Sequence, residues 1–449
     1  MNRALPLALI LGVASTTVIN AGAPARAAVE ISAEQRSELA LSYSLMASEF
    51  YKSVAPQTLF DGVHDNLLAY LKKGGVASPA LPKLFATDNE HANVTRLQSE
   101  VSTAITKYGA KVGSKPITWA AIAGMLGSVH DKYTVFLDPK EYGALNQGLD
   151  GGNFGGVGIS IRVDQDTHEL TVIDVIPGTP GEKAGLQSGD TIMAIDGKPA
   201  KGLKVDEDSH LLRGKPGSTV RLTIRRDGKV LPAPISVVRA TIHEPSVFAH
   251  MMNGDVGYVR LSVFGATTST ELGDALHKLD TEGAKAYILD LRDNGGGYLN
   301  AAIGVSSKFI DAGPIVTVVS RASGRTEYDA DATALPPHPL AVLVNKYTAS
   351  ASEITSGALQ DDGVGTLVGE RTFGKGVVQT IHPLPDGSAV KITTARYLTP
   401  LGRDINSVGI KPDITEAEPK NARFGDPTTD PQLRTALGYL KDQIAKRDS

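Results

Sequence analysis

The sequence predicts a multidomain α/β protein: an α/β layered core with an inserted, mostly-β domain and a helical N-terminal region. Three observations support this fold class. Residues 28–147 are mainly helix-forming, the glycine-dense segment Gly148–Gly158 opens a run of short strands, and strands alternate with helices from about Val256. A chain of 449 residues is long enough for two or three folded units.

Composition limits the classes of partner. The chain carries 45 Lys and Arg against 49 Asp and Glu, with no basic stripe and no basic-aromatic interleaving. We therefore expect no nucleic-acid partner, because nucleic-acid binding leaves a positive electrostatic footprint. The chain has no cysteine, so it forms no disulfide, and a chain of this size does not need one.

The first residues predict an export signal at 1–27. Arg3 supplies a positive charge, Ala4–Ile19 is uncharged and rich in apolar and small residues, and Ala25-Arg26-Ala27 fits a small-x-small cleavage site. The apolar run is short for a membrane span. We expect a periplasmic or otherwise exported protein with no stable membrane span after cleavage, and an uncleaved membrane anchor is the alternative.

Helical periodicity dominates the N-terminal region at 28–147. We expect helices at Ala33–Tyr51 and Ala86–Lys107. The proline- and glycine-containing stretches Gly74–Pro82 and Gly109–Pro116 interrupt the pattern.

The middle domain, expected at 148–242, begins with glycines that lead directly into a strand. Consecutive backbone N–H groups at Gly156, Val157, Gly158 and Ile159 can converge on one carboxylate, and the strand that follows can accept an added peptide strand. β-branched alternation between turns predicts the strands Val157–Val163, Leu170–Val175, Thr191–Ile195 and Thr219–Arg225.

Three later segments of this domain carry a resemblance. Ala184–Asp190, Ile192–Gly197 and Leu212–Gly217, together with the glycine loop, resemble a PDZ domain of the bacterial protease type over about 150–242. The resemblance implies binding of protein C-termini. The alternative is a small β module that holds neighbouring domains together without a ligand, because glycine turns often serve geometry alone.

The third domain, expected at 243–420, contains three notable segments, and a helical tail is expected at 421–449. Leu289–Gly297 is a strand that runs into a glycine turn, whose exposed N–H groups suit an oxyanion hole. Val344–Glu353 predicts a strand, a turn and a helix start, and Gly369–Gln379 sets one lysine among glycines and apolar residues.

Ser350 by itself has two interpretations. Ser350-Ala351-Ser352-Glu353 matches the S-x-x-E capping box, and serine is a favoured helix cap. A helix N-terminus is also a place where the dipole stabilises a developing oxyanion, so a cap and a nucleophile share one geometry. Helical spacing places Asp361 on the same face as Ser350 and Ile354.

Lys375 also has more than one interpretation. Gly369–Lys375 fits the start of a phosphate loop, but Gly376 stands where that loop needs Ser or Thr, and a strand-like pattern follows. A surface lysine in a turn is the other alternative. A lysine acts as a base only if its ammonium is desolvated, and Phe373, Val377 and Val378 offer apolar walls.

Histidine and metal chemistry lack their motifs. His243-Glu244 opens like H-E-x-x-H, but Val247 occupies the position of the second histidine, and no G-x-S-x-G elbow occurs. We therefore expect neither a metal nor another cofactor.

With these residues in place, the chain resembles a C-terminal processing peptidase, also called a tail-specific protease. The match runs from about Gly148 to Ile414, and Asp131–Leu137 is similar to the motif that precedes the PDZ domain. Further motifs that carry it are Arg396–Arg403 and Gly409–Asp413.

The resemblance implies roles for individual residues. Ser350 would be the nucleophile, Lys375 the general base and Gln379 its orienting partner, and some members also use an acidic residue that would be Asp361. The oxyanion donors would be the N–H groups of Gly296 and Ala351. The family commonly has proline before the paired glycines, whereas this chain has Gly295, so the turn is expected to be looser.

These roles lead to expectations about geometry and partners. On a regular strand Lys375 and Gln379 would lie about 13 Å apart, so we expect a bend near Gly374 or Gly376. The resemblance suggests gating through the PDZ domain, with Arg213 as the candidate link. We expect protein or peptide substrates with apolar C-termini, and an adaptor or self-association stays open. A catalytically silent PDZ scaffold is the main alternative, followed by nucleotide binding.

Overall fold

The computed structural model describes residues 30–149, 154–163, 167–176, 178–187, 189–202, 211–242, 245–417 and 425–449. The expected export signal and His243-Glu244 lie outside them. The fold class is confirmed: a helical region, a mostly-β insertion and a layered α/β core follow one another along the chain. No helix in the described part of the chain is both long and apolar enough to span a membrane.

Four helices form the N-terminal region around their own apolar core. Ser32 starts the first helix through a reciprocal capping box with Gln35. Asn89 accepts from the N–H of Ala92, which explains why the third helix begins four residues later than Ala86. The helices are α1 (Ala33–Glu49), α2 (Pro56–Lys73), α3 (Glu90–Val112) and α4 (Ser114–Gly127).

The N-terminal region also contributes to the core, which its helical pattern did not indicate. Strand β1 (Val135–Leu137) pairs antiparallel with β19 (Ala389–Leu398), and helix α5 (Pro139–Leu149) follows it. The buried side chains Leu384, Val390 and Ile392 in turn belong to the apolar cluster of the N-terminal helices. The two regions are therefore packed as one unit.

The described residues of the middle domain form an antiparallel sheet, and helix α6 (Pro180–Lys183) lies among them. The strand expected at Val157–Val163 begins only at Ile159, because Gly158 has a left-handed backbone with φ +77°. Sheet order is β3-β4-β5-β7-β8, with β6 beside β5 and β9 beside β7, while β2 pairs with β10. The strands are β2 (Phe154–Gly156), β3 (Ile159–Val163), β4 (Leu170–Val175), β5 (Thr191–Ile195), β6 (Lys198–Pro199), β7 (Thr219–Arg226), β8 (Lys229–Val230), β9 (Ile235–Val238) and β10 (Ala240–Ile242).

A six-stranded sheet forms the centre of the core, in the order β11-β12-β13-β16-β17-β20. β11 is antiparallel to β12, and the other neighbouring pairs are parallel. The strands are β11 (Val247–Met252), β12 (Val256–Leu261), β13 (Ala286–Asp290), β16 (Leu340–Val344), β17 (Gly365–Gly369) and β20 (Ile414–Thr415).

Helices cover both faces of this sheet. Tyr287 and Leu289 pack with helices α7 (Thr268–Thr281), α8 (Leu299–Ser306) and α9 (Ala351–Asp361). Ala286 and Ile288, which alternate with them, pack against the last helix, α10 (Pro431–Asp448). The segment expected as a tail is thus one layer of the core.

A second sheet lies beside the first and joins the core to the N-terminal helices. It contains β14 (Pro314–Ser320), β15 (Gly324–Asp329), β18 (Val377–Pro383), β19 and β1. β18 and β19 form an antiparallel hairpin whose tip enters the N-terminal helical core. The hairpin therefore runs from that core to the site described next.

Candidate active site

Three neighbouring parallel strands bring the three segments singled out in the sequence to one edge of the sheet. β13, β16 and β17 lie side by side in parallel. The glycine turn follows β13, the Ser350 turn follows β16, and the Lys375 segment follows β17. Carboxyl ends of parallel strands meet at one edge, where open α/β sheets bind their ligands.

Ser350 is the N-cap of α9 and has a strained backbone, with φ 58° and ψ −118°. Such a conformation costs a non-glycine residue about 1–3 kcal/mol and persists only where neighbours hold it. Two contacts do so: the Ser350 N–H donates to Glu353 Oε2 at 3.0 Å, and Tyr397 Oη donates to the Ser350 carbonyl at 3.1 Å. The helix-cap interpretation is therefore correct, and the residue also lines a cavity.

The glycine turn packs directly against Ser350. The Asn294 carbonyl accepts from the Ala349 N–H at 3.0 Å and from Ser352 Oγ at 2.9 Å. A Cβ atom added at Gly296 would lie 2.7 Å from the Ala351 nitrogen. Gly296 and Ala351, the two candidate oxyanion donors, are thus next to each other and to Ser350.

The two donors differ in their present partners. The Gly296 N–H donates to Asn294 Oδ1 at 2.9 Å, so it is engaged within its own turn. The Ala351 N–H, in the first turn of α9, has no acceptor among the described residues. Gly295 is exposed and a Cβ there would meet nothing within 4 Å, so the missing proline leaves open space.

Lys375 lies in an irregular segment ahead of β18, and its ammonium is largely shielded from water. Its Nζ lies 4.7 Å from the centre of the Tyr133 ring. Burial lowers the pKa of Lys375 to about 8, and the positive charge of Lys391 adds to this, while Glu353 and Asp131 oppose it. A lysine with this pKa carries a substantial neutral fraction near neutral pH.

Gln379 lines the same cavity as Lys375, on a bent strand. Gly374 has φ +84°, and the pairing of β18 with β19 shifts register between Val378 and Gln379. Gln379 Nε2 is buried and has no partner among the described residues. No hydrogen bond between Gln379 and the Lys375 amine is present among them either. The expected bend is present, and the expected contact is absent in this conformation.

Glu353 organises the site, although the sequence indicated only a capping role for it. Its carboxylate is fully buried. Besides Ser350 N–H, it accepts from the N–H groups of Gly374 and Lys375, each at 2.8 Å, and from Thr372 Oγ1 at 2.5 Å. One carboxylate thus fixes the backbones of both Ser350 and Lys375. The S-A-S-E motif was visible in the sequence, but these partners were not.

These residues enclose a cavity of about 510 Å³. Helix α5 contributes one wall and the β18–β19 hairpin another, and Lys375 and Lys391 both reach it. The lining residues are Leu145, Leu149, Gly295, Gly296, Gly297, Tyr298, Leu299, Ser350, Ala351, Ile354, Lys375, Val377, Val378, Gln379, Thr380, Ile381, Lys391 and Tyr397.

Asp361 is not brought to this cavity. It is the last residue of α9, about 16 Å along the helix axis from Ser350 at 1.5 Å per residue. Its carboxylate accepts from the Leu401 N–H at 2.9 Å and pairs with Arg403. The spacing argument considered only the face of the helix, whereas Asp361 follows the cap by eleven positions along the chain.

The candidate peptide-binding loop lies in the middle domain, apart from the cavity lining. The Val157 carbonyl accepts from the Gly181 N–H at 2.7 Å and the Gly158 carbonyl from the Ile176 N–H at 3.0 Å. No described residue accepts from the N–H groups of Val157 and Gly158. β3, which follows, is an edge strand among the described residues.

Arg213 connects the middle domain to the cavity wall. Its Nη1 donates to Gln147 Oε1 of helix α5 at 3.1 Å. The same helix places Leu145 and Leu149 in the cavity lining. The candidate regulatory residue therefore contacts an element that shapes the site.

Comparison with known proteins agrees with this architecture. The sequence model of peptidase family S41 matches residues 255–416, and that of the PDZ domain matches 155–237. A candidate S41 protease from Bacteroides fragilis NCTC 9343 has the same fold, with a TM-score of 0.51 and 18% identity over 90% of this chain and 97% of that chain. Fold and matches together define a PDZ-containing peptidase.

Two curated relatives show which group of this peptidase family the chain resembles. The carboxyl-terminal-processing protease of Picosynechococcus sp. (strain ATCC 27264 / PCC 7002 / PR-6) is 41% identical over 331 residues, which cover 73% of this chain and 80% of the relative. The carboxy-terminal processing protease CtpA of Bacillus subtilis (strain 168) is 38% identical over 318 residues, covering 71% and 67%. The chain belongs to peptidase family S41, with the carboxyl-terminal-processing proteases, and this membership supports a protease activity.

Proposed function

We propose that the protein is an exported serine endopeptidase that recognises protein C-terminal tails through its PDZ domain and cleaves peptide bonds with Ser350 and Lys375. One observation carries the proposal. A strained serine at a helix N-terminus and a lysine with a lowered pKa line one cavity, and the Glu353 carboxylate holds both backbones.

The chemistry begins with the neutral amine of Lys375. It accepts the proton of Ser350 as Oγ attacks the carbonyl carbon of the scissile peptide bond. The oxyanion of the tetrahedral intermediate is stabilised by the Ala351 N–H and the α9 dipole. The Gly296 N–H joins them when the substrate oxygen replaces Asn294 Oδ1 as its acceptor.

Collapse of the intermediate breaks the peptide bond. The leaving amine takes the proton from the Lys375 ammonium, and the acyl group stays on Ser350. Lys375 then accepts a proton from water as the hydroxide oxygen attacks the ester carbonyl carbon. The ester C–O bond breaks, the acid product leaves, and Ser350 Oγ takes the proton from the Lys375 ammonium, so both residues return to their starting states. The unpartnered amide of Gln379 is suited to orient the lysine amine during these transfers. Asp361 has no part in these steps because it pairs with Arg403.

The PDZ loop offers the chemistry for a peptide carboxylate. The N–H groups of Val157 and Gly158 have no acceptor among the described residues and, with the neighbouring Gly156 and Ile159, support capture of a C-terminal carboxylate. Strand β3, an edge strand in the described part of the domain, supports pairing with the peptide backbone. Apolar C-termini are the proposed ligands, because Val157, Ile159 and Leu186 belong to the apolar cluster of this domain.

Proteolysis of an unfolded protein with a small apolar C-terminus tests the catalytic proposal. Wild type is expected to cleave it, and Ser350→Ala and Lys375→Ala to lose activity by at least about 1000-fold. Lys346→Ala, which removes an exposed lysine near the site, is the matched control. Undiminished cleavage by either site variant excludes this mechanism. An inactive wild type that still binds C-terminal peptides favours the silent-scaffold alternative.

Export rests on the first 27 residues and is tested separately. Expression in a bacterium with a periplasm is expected to yield a processed chain that starts at Ala28 in the periplasmic fraction. N-terminal sequencing and fractionation provide the measurement. An intact Met1 in the cytoplasmic fraction contradicts export, and an intact N-terminus in the membrane fraction supports the anchor.

A further inference from the structure

Lys391 reaches the catalytic cavity, yet no step of the proposed mechanism uses it. It lies on β19 opposite Ile381 of β18, two residues along the hairpin from Gln379. It lines the same cavity as Ser350 and Lys375. A side chain in this position is within reach of a peptide that occupies the cavity.

The charges around the cavity have one sign. Among the described residues that line it, Lys375 and Lys391 are the ones with a basic side chain, and none is Asp or Glu. When Lys375 is neutral, as a general base must be, Lys391 leaves the cavity positively charged. The remaining walls are mainly apolar, for example Leu145 and Leu299.

Within the described part of the chain, the Lys391 ammonium has no counter-ion in contact. No described carboxylate lies within ion-pair distance of it, and burial lowers its pKa, with Asp131 opposing from farther away. The nearby Asp131 carboxylate instead accepts from Thr134 Oγ1 at 2.7 Å and Thr393 Oγ1 at 2.5 Å. A half-buried cation without a partner is destabilised, and an entering anion relieves that destabilisation.

We propose that Lys391 binds a carboxylate of the peptide in the cavity and thereby selects substrates that carry a carboxylate close to the scissile bond. The selection of substrates rests on the proposed function, because it requires that the protein cleaves peptides in this cavity. Two sources supply this chemistry: the α-carboxylate of a nearby C-terminus, or the side chain of Asp or Glu. Basic side chains at the same place are disfavoured by like-charge repulsion.

Binding without hydrolysis provides the first test. In a Ser350→Ala background, affinities are measured for three short N-acetylated peptides of alanine, serine and leucine. One is amidated and uncharged, one is amidated with a single Asp scanned through the sequence, and one has a free C-terminus. We expect at least one carboxylate peptide to bind about tenfold more tightly than the uncharged peptide.

Variants at Lys391 decide whether this residue causes the tighter binding of carboxylate peptides. Lys391→Met should reduce the preference to about one, Lys391→Arg should retain it, and Lys346→Met, outside the cavity, should leave it unchanged. A preference for the amidated Asp peptide that persists in Lys391→Met overturns the proposal for side-chain carboxylates. A preference for the free C-terminus that persists in Lys391→Met assigns that carboxylate to the PDZ loop and overturns the proposal for C-terminal carboxylates. The proposal is also overturned if the Ser350→Ala protein with Lys391 unchanged binds all three peptides with equal affinity. Comparison of the amidated Asp peptide with the free-terminus peptide shows whether Lys391 binds a side-chain carboxylate or a C-terminal α-carboxylate.

Cleavage by the full-length protein with Ser350 intact distinguishes two roles of Lys391: binding of the substrate carboxylate, and an effect of its charge on the pKa of Lys375. A preference seen in KM for carboxylate peptides, and lost in Lys391→Met, supports recognition. If Lys391→Met instead slows every peptide by the same factor and recovers at alkaline pH, Lys391 acts only on Lys375 and the proposal fails. If wild type binds with the expected preference but cleaves nothing, the proposed function fails while carboxylate binding stands.

Discussion

At the scale of single residues, the site depends on side chains and backbones held in states that they would not adopt alone. Ser350 keeps a left-handed φ of 58°, and Lys375 keeps an ammonium away from water. Both states are unfavourable in isolation and are stabilised by contacts from distant segments, including Tyr133 and Tyr397. Reactivity at this scale is therefore a property of the environment of each residue.

The pH dependence of activity follows from Lys375. Its pKa is lowered to about 8, and the neutral amine is the active form, so activity rises with pH through that value. We expect kcat/KM to increase about tenfold between pH 7 and pH 9 and then to level off. Initial rates on one peptide across this range provide the measurement, with circular dichroism to verify an intact fold. A flat profile contradicts a lysine base.

At the scale of elements, helix α9 is the organising unit of the site. Its first turn holds Ser350, and its Glu353 carboxylate gathers the segment that follows β17. Without that carboxylate, four donors lose their acceptor in a buried place. The capping box that starts the helix therefore also joins Ser350 to Lys375, the proposed nucleophile and the proposed base.

Glu353→Gln tests this joint. The amide retains one acceptor oxygen but turns N–H groups toward existing donors, so we expect a loss of about 2–4 kcal/mol in the free energy of unfolding. kcat should fall more than KM rises, because positions of Ser350 and Lys375 are disturbed while the cavity walls remain. Chemical denaturation and steady-state kinetics measure the two effects, with the exposed Glu282→Gln as control. Wild-type kcat in Glu353→Gln is the contrary result.

At the scale of the whole molecule, regions far apart in sequence share one frame. The PDZ domain contacts α5 through Arg213, and α5 forms a wall of the cavity. At the opposite end of the chain, Asp430 caps α10 and also pairs with the fully buried Arg292 at the end of β13, with Nη2 2.7 Å from Oδ2. Contacts thus join the PDZ domain to the cavity wall, and the final helix to the central sheet.

Arg213→Ala examines the connection to the PDZ domain. Loss of this exposed hydrogen bond, worth about 1 kcal/mol, is expected to lower kcat/KM for tailed protein substrates about fivefold, because α5 is held less firmly at the cavity. Arg221→Ala, an exposed arginine of the same domain, serves as control. Rates on tailed and tail-less versions of one substrate are compared. Equal activity of Arg213→Ala and wild type removes the gating hypothesis.

Arg292→Ala examines the connection to the last helix. Arg292 is fully buried between Asp290 and Asp430, so its removal leaves two carboxylates without their cation. We expect a loss of about 3–5 kcal/mol in the free energy of unfolding. Urea denaturation measures it, and Arg434→Ala, an exposed arginine of α10, should change stability by less than about 1 kcal/mol. Similar stabilities of the two variants contradict the role of this cluster.

Much of the architecture could be predicted from local patterns. The strands at Leu170–Val175 and Thr191–Ile195 agree with their predicted bounds, because β-branched alternation between turns is a local property. The short strand β1 was missed, since three residues carry too little periodicity, and its stability comes from pairing with β19.

By itself, the sequence determined the class of fold, the family and the three segments that carry serine, lysine and glycine turn. Spacing and motif do this because backbone preferences and capping act within a few residues. Only the tertiary structure decided that Glu353 joins Ser350 to Lys375, that the Gly296 N–H is already engaged, and that Asp361 pairs with Arg403 instead. Distances between segments and the desolvation of Lys375 depend on packing across the whole chain, which no local pattern contains.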